Sequence, residues 1–287
     1  MDFGKILYTS LITLLLSLGS LNASAVRFGR QPVVSILPAP QVRALSNPVP
    51  VTNPISADVS QGMSSNWSGY GAVGGNFTSV SGTWTVPTPQ PDGNFAADAT
   101  WVGIGGITTT DLIQAGTQAT TSLGGRVDYQ AFYEMLPGSS RPIPLDVQGG
   151  DLVTVTISRL SGEQWQILFR DNSTGRESQF TVNYNSSLSS ADWVEEAPSG
   201  MRRLMPLDNF GSVTFTNAWA VKDGQKTNPA NLGAHAILMG LPGQTLATPS
   251  GLGNDGASFT VTRTIGQIQT GVYRSTYRQV VPDFDNY

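Results

Sequence analysis

The 287-residue sequence predicts an all-β protein, a sandwich of two curved antiparallel sheets, and three observations predict it. From Met63 onward, short runs of alternating apolar and polar residues follow one another, the pattern of strands with one buried face. The 32 Gly and 18 Pro punctuate those runs with turn signals. Long Ala/Glu/Lys/Leu runs with a helical apolar period are absent.

Taken in order, strands are expected at Asn66–Val73, Gly82–Val86, Thr100–Ile104, Asp111–Gln118, Val127–Leu136, Leu152–Arg159 and Gln164–Arg170. They continue at Ser178–Tyr184, Ala191–Glu196, Gly211–Val221, Ala234–Leu238 and Ser258–Arg263. Val153, Val155 and Ile157 line one side of their strand, as Trp165, Ile167 and Phe169 do on theirs. This gives one β-sandwich domain over residues 63–270, with residues 271–287 as a C-terminal tail. A strongly curved sandwich would place a polar, aromatic-lined cleft on its concave face.

Two segments precede that domain. Residues 1–25 have a positive start at Lys5 and a short apolar run, Leu11–Leu21. They end in Ala23-Ser24-Ala25, the small-x-small pattern of a secretory signal peptide. A secreted, extracellular protein is expected, with no membrane span left after cleavage. Residues 26–62 hold six prolines, and Arg27, Arg30 and Arg43 are the only charges before Asp58. They show no strand or helix period and read as a linker or a pro-segment.

Composition narrows the chemistry. There is no Cys, hence no disulfide framework, thiolate nucleophile or Cys-held metal. His235 is the only His, which argues against the usual multi-His zinc sites, so no metal or other cofactor is expected. Only 13% of residues are charged and the net charge is −4, leaving little basic surface for nucleic acid. Few cations also limit self-repulsion when carboxylates protonate in acid. A monomer is expected.

Three strands carry polar side chains that a purely structural strand does not need. Alternation puts Leu112, Gln114, Gly116 and Gln118 on one face, and Gln130, Phe132 and Glu134 on another. Trp101 and Gly103 face away from Val102 and Ile104. Glu195 and Glu196 point to opposite faces, so only one of them can look into the cleft. On spacing alone, two readings stay open: a substrate groove with an aromatic wall, or a sheet face made polar for solubility.

At these residues the chain resembles the eqolisin family of glutamic peptidases. The matching pieces are Asn66-Trp67-Ser68-Gly69-Tyr70, Gly82-Thr83-Trp84-Thr85-Val86-Pro87 and Trp101-Val102-Gly103-Ile104-Gly105-Gly106. Leu112-Ile113-Gln114-Ala115-Gly116 and Tyr133-Glu134-Met135-Leu136-Pro137 follow. Ala191-Asp192-Trp193-Val194-Glu195-Glu196-Ala197-Pro198 and Phe210-Gly211-Ser212-Val213-Thr214-Phe215 complete the set. Their order and spacing, rather than any one of them, make the match specific.

The resemblance implies a concanavalin A-like or glucanase-like sandwich and a Gln–Glu catalytic dyad in its cleft. Gln114 matches the family's glutamine, and Glu196, three residues after Trp193, its glutamate. Trp101, Glu134, Phe132 and Trp67 are carried as cleft residues. The implied activity is a pepstatin-insensitive acid endopeptidase acting on polypeptides through a directly activated water, with no covalent intermediate and no metal. The chain departs from the family at Gly105, where Asp is frequent, and at Phe132, where Trp is common.

Other features have plainer readings. No Gly-x-Ser-x-Gly elbow accompanies His235, and no Asp-Thr/Ser-Gly piece is present. Asn66, Asn76, Asn172 and Asn185 head glycosylation sequons. Trp84 and Trp219, and Trp67 as well, suit core or rim packing. A glycoside hydrolase using Glu134 and Glu196, or a carbohydrate-binding module, would fit the same fold.

Overall fold

A computed structural model of the chain describes residues 43–44, 62–200, 203–241 and 243–264. The expected signal peptide, most of residues 26–62 and the tail 271–287 lie outside the described residues. Among the described residues every regular element is a strand.

In chain order these are β1 (Arg43–Ala44), β2 (Gly62–Ser64), β3 (Trp67–Val73), β4 (Phe77–Thr85), β5 (Ala96–Gly105), β6 (Leu112–Thr121) and β7 (Val127–Met135). Next come β8 (Arg141–Pro142), β9 (Leu152–Ser161), β10 (Gln164–Asp171), β11 (Arg176–Asn183) and β12 (Ser190–Glu196). The last are β13 (Ser199–Gly200), β14 (Arg203–Leu204), β15 (Ser212–Lys222), β16 (Gln225–Thr227), β17 (His235–Leu241), β18 (Gln244–Pro249) and β19 (Phe259–Arg263).

One run of antiparallel pairings is β17–β3–β12–β5–β6–β7. A second is β19–β15–β4–β9–β10–β11. β18 pairs with both β17 and β19 and so links the two runs. β2 joins β17 in parallel, and β1 pairs with β2 through Arg43↔Met63 and Ala44↔Gly62. The alternating pattern of the sequence explains the layering. Val153, Val155, Ile157, Trp165, Ile167 and Phe169 are fully buried, and they meet Tyr70, Val102, Ile104, Ile113 and Trp193 in one large core. The indole N–H of Trp193 donates to Ser81 O (2.8 Å), and that of Trp84 to Thr117 Oγ1 (3.0 Å), so these two core indoles each have an acceptor.

The structure extends three expectations. β4 starts at Phe77 rather than Gly82, because Ser79 and Ser81 hide their hydroxyls by donating to Ile157 O and Val155 O on β9. β5 starts at Ala96 rather than Thr100, its small side chains hiding the strand period. β1, β2, β8, β13, β14, β16 and β18 are absent from the expected strands, being short or polar.

β5 and β6 approach closely at one point that matters for the cleft face. A Cβ at Gly116 would lie 2.0 Å from Thr100 O and 2.6 Å from Trp101 Cβ. Gly116→Ala must therefore push β6 off β5 or displace Trp101. It is expected to cost about 3 kcal/mol, the upper part of the overpacking range, read by urea denaturation in acid.

Candidate active site

The second face of the first sheet carries the polar side chains. Register fixes their placement in rows. Trp67 on β3, Glu196 on β12 and Ala99 on β5 stand side by side. One row along, Val194, Trp101, Gly116 and Phe132 line up across β12, β5, β6 and β7. The next row holds Asp192, Gly103, Gln114 and Glu134. All six residues expected at the cleft therefore share one sheet face, on adjacent strands of the sheet.

Apolar side chains frame them. Trp67, Ala99, Trp101, Leu112, Phe132, Leu136, Val194 and Ile237 form a cluster separate from the main core, with Ile107 packed against it. Trp67 and Trp101 meet edge to face, 4.8 Å between ring centres. Gln114, Glu134, Glu196, Trp67, Trp101 and Phe132 are all completely buried. The sequence suggested an open groove; the structure instead makes these residues a floor closed to solvent.

The hydrogen bonds divide the polar groups into two sets. Glu196 accepts from Trp101 Nε1 at Oε2 (2.8 Å) and from Asn66 Nδ2 at Oε1 (3.0 Å). Asn66 is in turn held by Ser64, whose Oγ donates to Asn66 Oδ1 (3.2 Å) and accepts from the Trp67 backbone N–H (3.1 Å). Gln114 Nε2 donates to Glu134 Oε2 (2.8 Å). No hydrogen bond joins Gln114 to Glu196. Between them lies the Trp101 ring, which approaches Gly103 with its Cζ3 edge and Glu196 with its N–H. A Cβ at Gly103 would come within 2.9 Å of that edge, so the ring's position requires the glycine.

Burial pushes the Glu196 carboxyl well above its ordinary range, and the charge of Glu134 pushes it further. The N–H groups of Trp101 and Asn66 act the other way, since both bond the ionised form. The result is a carboxyl that binds a proton firmly and whose two oxygens are each fixed by one donor.

Sequence reasoning missed Asn66 as a site residue. It was visible as the first residue of the Asn66-Trp67 piece but read as a sequon; it is buried, so a glycan has no place there in the folded chain. Asn76, Asn172 and Asn185 are exposed. His235 opens β17 at the surface, Trp84 lies in the main core, and Trp219 is half-buried under the Lys226 ammonium. The Gly at 105 has a physical reason as well. Its φ is +91°, and a Cβ there would stand 2.4 Å from Asp111 O, so an Asp needs a different backbone. Among the described residues, no three His, Asp or Glu converge as a metal site, and no helix is long and apolar enough to cross a membrane.

The fold agrees with what known proteins show. The chain matches the Peptidase A4 family over residues 65–262 and belongs to it. It is a glutamic peptidase of the eqolisin class, an enzyme that hydrolyses peptide bonds.

Aspergillopepsin-2 of Aspergillus niger is 27% identical over 236 residues, covering 73% of this chain and 78% of that protein. Scytalidopepsin B of Scytalidium lignicola is 28% identical over 177 residues, 57% of this chain and 66% of that protein. Scytalido-glutamic peptidase, solved with a transition state analog inhibitor, shares the fold with a TM-score of 0.60 at 23% identity, covering 70% of this chain and 98% of that one. Aspergilloglutamic peptidase from Aspergillus niger gives 0.53 at 27% identity, covering 59% and 99%.

Proposed function

We propose that the chain is a secreted acid endopeptidase in which Glu196 activates a water and Gln114 stabilises the oxyanion. The observation that supports this most is the fixing of Glu196. A carboxyl held at both oxygens by Asn66 and Trp101, on the same sheet face as the Gln114–Glu134 pair, is oriented for proton transfer.

In this reading the water and peptide admitted to the site relieve the burial that keeps Glu196 protonated, and Glu196, once ionised, removes a proton from water as the water oxygen attacks the scissile carbonyl carbon. The carbonyl oxygen becomes negative. The Gln114 amide has a second N–H besides the one given to Glu134, and it donates to that oxygen. Glu196 then passes its proton to the departing nitrogen as the C–N bond breaks, leaving a carboxylic acid and an amine. An amide donor does not titrate, so it survives at any pH.

Secretion rests on the signal-like residues 1–25, and residues 26–62 are read as a pro-segment whose arginines pair with carboxylates near neutral pH. N-terminal sequencing of active material checks the second point, since a terminus at Val26 would contradict it. Membership of a peptidase family favours this reading over the glycoside-hydrolase and carbohydrate-binding ones.

The test is cleavage of denatured protein at about pH 3–4, near the ordinary Glu range, with and without pepstatin. Cleavage that pepstatin does not stop is expected. Absence of cleavage by material with a processed N-terminus would contradict the proposal.

A further inference from the structure

The residue beside Glu196 points the other way, into the space between the sheets, and it is also an acid. Glu195 is fully buried, paired on β12 with Ser68 of β3 and Thr100 of β5. Thr100 Oγ1 donates to Glu195 Oε2 (2.6 Å). Two residues earlier on the same face of β5 is Asp98, also fully buried, diagonal to Glu195 across the strand pair and close enough for the two carboxyls to act on each other. Two carboxyls can bond only if one of them carries a proton. Each keeps one buried oxygen, Asp98 Oδ1 and Glu195 Oε1, that meets no N–H or hydroxyl donor. A proton lying between the two acids satisfies them.

We propose that Asp98 and Glu195 share a proton and act as positioning residues for Glu196, clamping β12 to β5 one residue from the active carboxyl and letting go when that proton is lost. The clamp rests on the reading of Glu196 given above. It adds the upper pH limit of that site.

The surroundings favour the protonated clamp. Asp208, largely buried, adds a third acid, and Asp92 lies near enough to Asp208 to repel it. Tyr129 faces Asp98 and Asp208 from β7, and Glu196 repels Glu195 across the strand. Among the described residues, the one cation acting on this group is Arg263. Its Nε and both terminal nitrogens donate to the backbone carbonyls of Asp208, Leu246, Thr264 and Leu207, so it offsets the Asp208 charge without bonding a carboxyl here.

Burial first, and then the neighbouring acids, push Asp98 well above the ordinary range and Glu195 up to about 8. Burial likewise pushes Asp208 up to about 9. A carboxyl whose folded pKa is raised contributes stability that is complete below the unfolded value near ~4. That contribution is lost as pH climbs toward the folded value. The clamp is therefore closed in acid and opens on the way to neutral pH and beyond.

Glu195→Gln and Asp98→Asn test this in the full-length secreted enzyme. Either amide can bond the remaining carboxylate without a shared proton. The pH at which the near-ultraviolet circular dichroism of the tryptophans is half lost should rise by about one unit, with inactivation at neutral pH about tenfold slower. Glu195→Ala, which offers no such bond, should lower kcat in acid with little change in KM, and Glu195→Gln should restore it. An unchanged midpoint in both amide variants overturns the proposal.

Hydrogen exchange in the unmodified chain gives a second measurement should a variant not fold. After correction for the intrinsic pH dependence, residues 96–100 and 192–196 should lose protection together with activity as pH rises. Protection that outlasts activity there overturns the clamp. The midpoint and exchange readouts do not depend on Glu196 being the catalytic base. If Glu196→Gln is active while the midpoint still shifts, the assignment of Glu196 fails and the clamp stands.

Discussion

Glu196→Gln is expected to leave a folded protein with no measurable peptide hydrolysis at any pH. The change is isosteric, so the buried position stays filled. The new amide oxygen can accept from one of the two donors, Trp101 Nε1 or Asn66 Nδ2, while its NH₂ faces the other. That mismatch costs about 1–3 kcal/mol, the usual penalty for a buried group left without its partner. It is offset in part because a neutral amide replaces a carboxyl that burial and Glu134 already make hard to ionise.

The catalytic loss is much larger. General acid–base catalysis contributes roughly 10²–10⁴-fold in each proton transfer. Here one group serves both the attack of water and the departure of the amine. The measurement is kcat/KM on a denatured protein at about pH 3–4, beside the thermal midpoint. The adjacent substitution Glu195→Gln is the control, because alternation places that side chain on the opposite face. It should remain an active peptidase in acid. If Glu195→Gln were the dead variant and Glu196→Gln the active one, the two carboxyls would have to exchange roles.

That control depends on strand alternation, which the order of residues already carries. Strand period alone separates Glu195 from Glu196, puts Gln114 with Gly116 and Gln118, and puts Phe132 with Glu134; the register of β5, β6, β7 and β12 bears out each grouping. The buried rows of β9 and β10 were legible for the same reason, since their bulky residues recur every second position. Ser79, Ser81 and Asp98 were not, because they are polar residues that the fold buries, the two serines on the face of β4 opposite the core and Asp98 on the core-facing side of β5. Their cost is removed by partners on other strands, which local sequence does not name.

The closure of the floor was equally hidden. Whether Gln114 and Glu196 meet water depends on what covers them. Ile107 and Leu136, outside the regular strands, pack against the cluster around those residues. Asn66 shows the opposite failure: its residue type was noticed, and its surroundings were not. Only the meeting of β2, β3 and the end of β12 turns it from an apparent sequon into a ligand of Glu196, held from behind by Ser64.

Gln114→Ala is expected to lower kcat by roughly 10²–10³, the scale of removing one oxyanion donor. The amide and the base sit in different rows of the sheet and share no hydrogen bond. Deleting the amide therefore leaves the donors on Glu196 in place, and the acidic limb of the pH profile should stay where it is. KM should move little, because the oxyanion bond is made in the transition state and not in the bound substrate.

A structural role predicts a different pattern. Gln114 is fully buried and its Nε2 bonds Glu134 Oε2, so the truncation also leaves a carboxyl without that donor and opens a small void. Together these cost about 2–4 kcal/mol and lower the thermal midpoint. Stability loss alone reduces the fraction of active enzyme without changing kcat per folded molecule. Active-site titration with a tight inhibitor therefore separates the two. A kcat per folded molecule within about threefold of the parent would remove Gln114 from the oxyanion site and leave it only the support of Glu134.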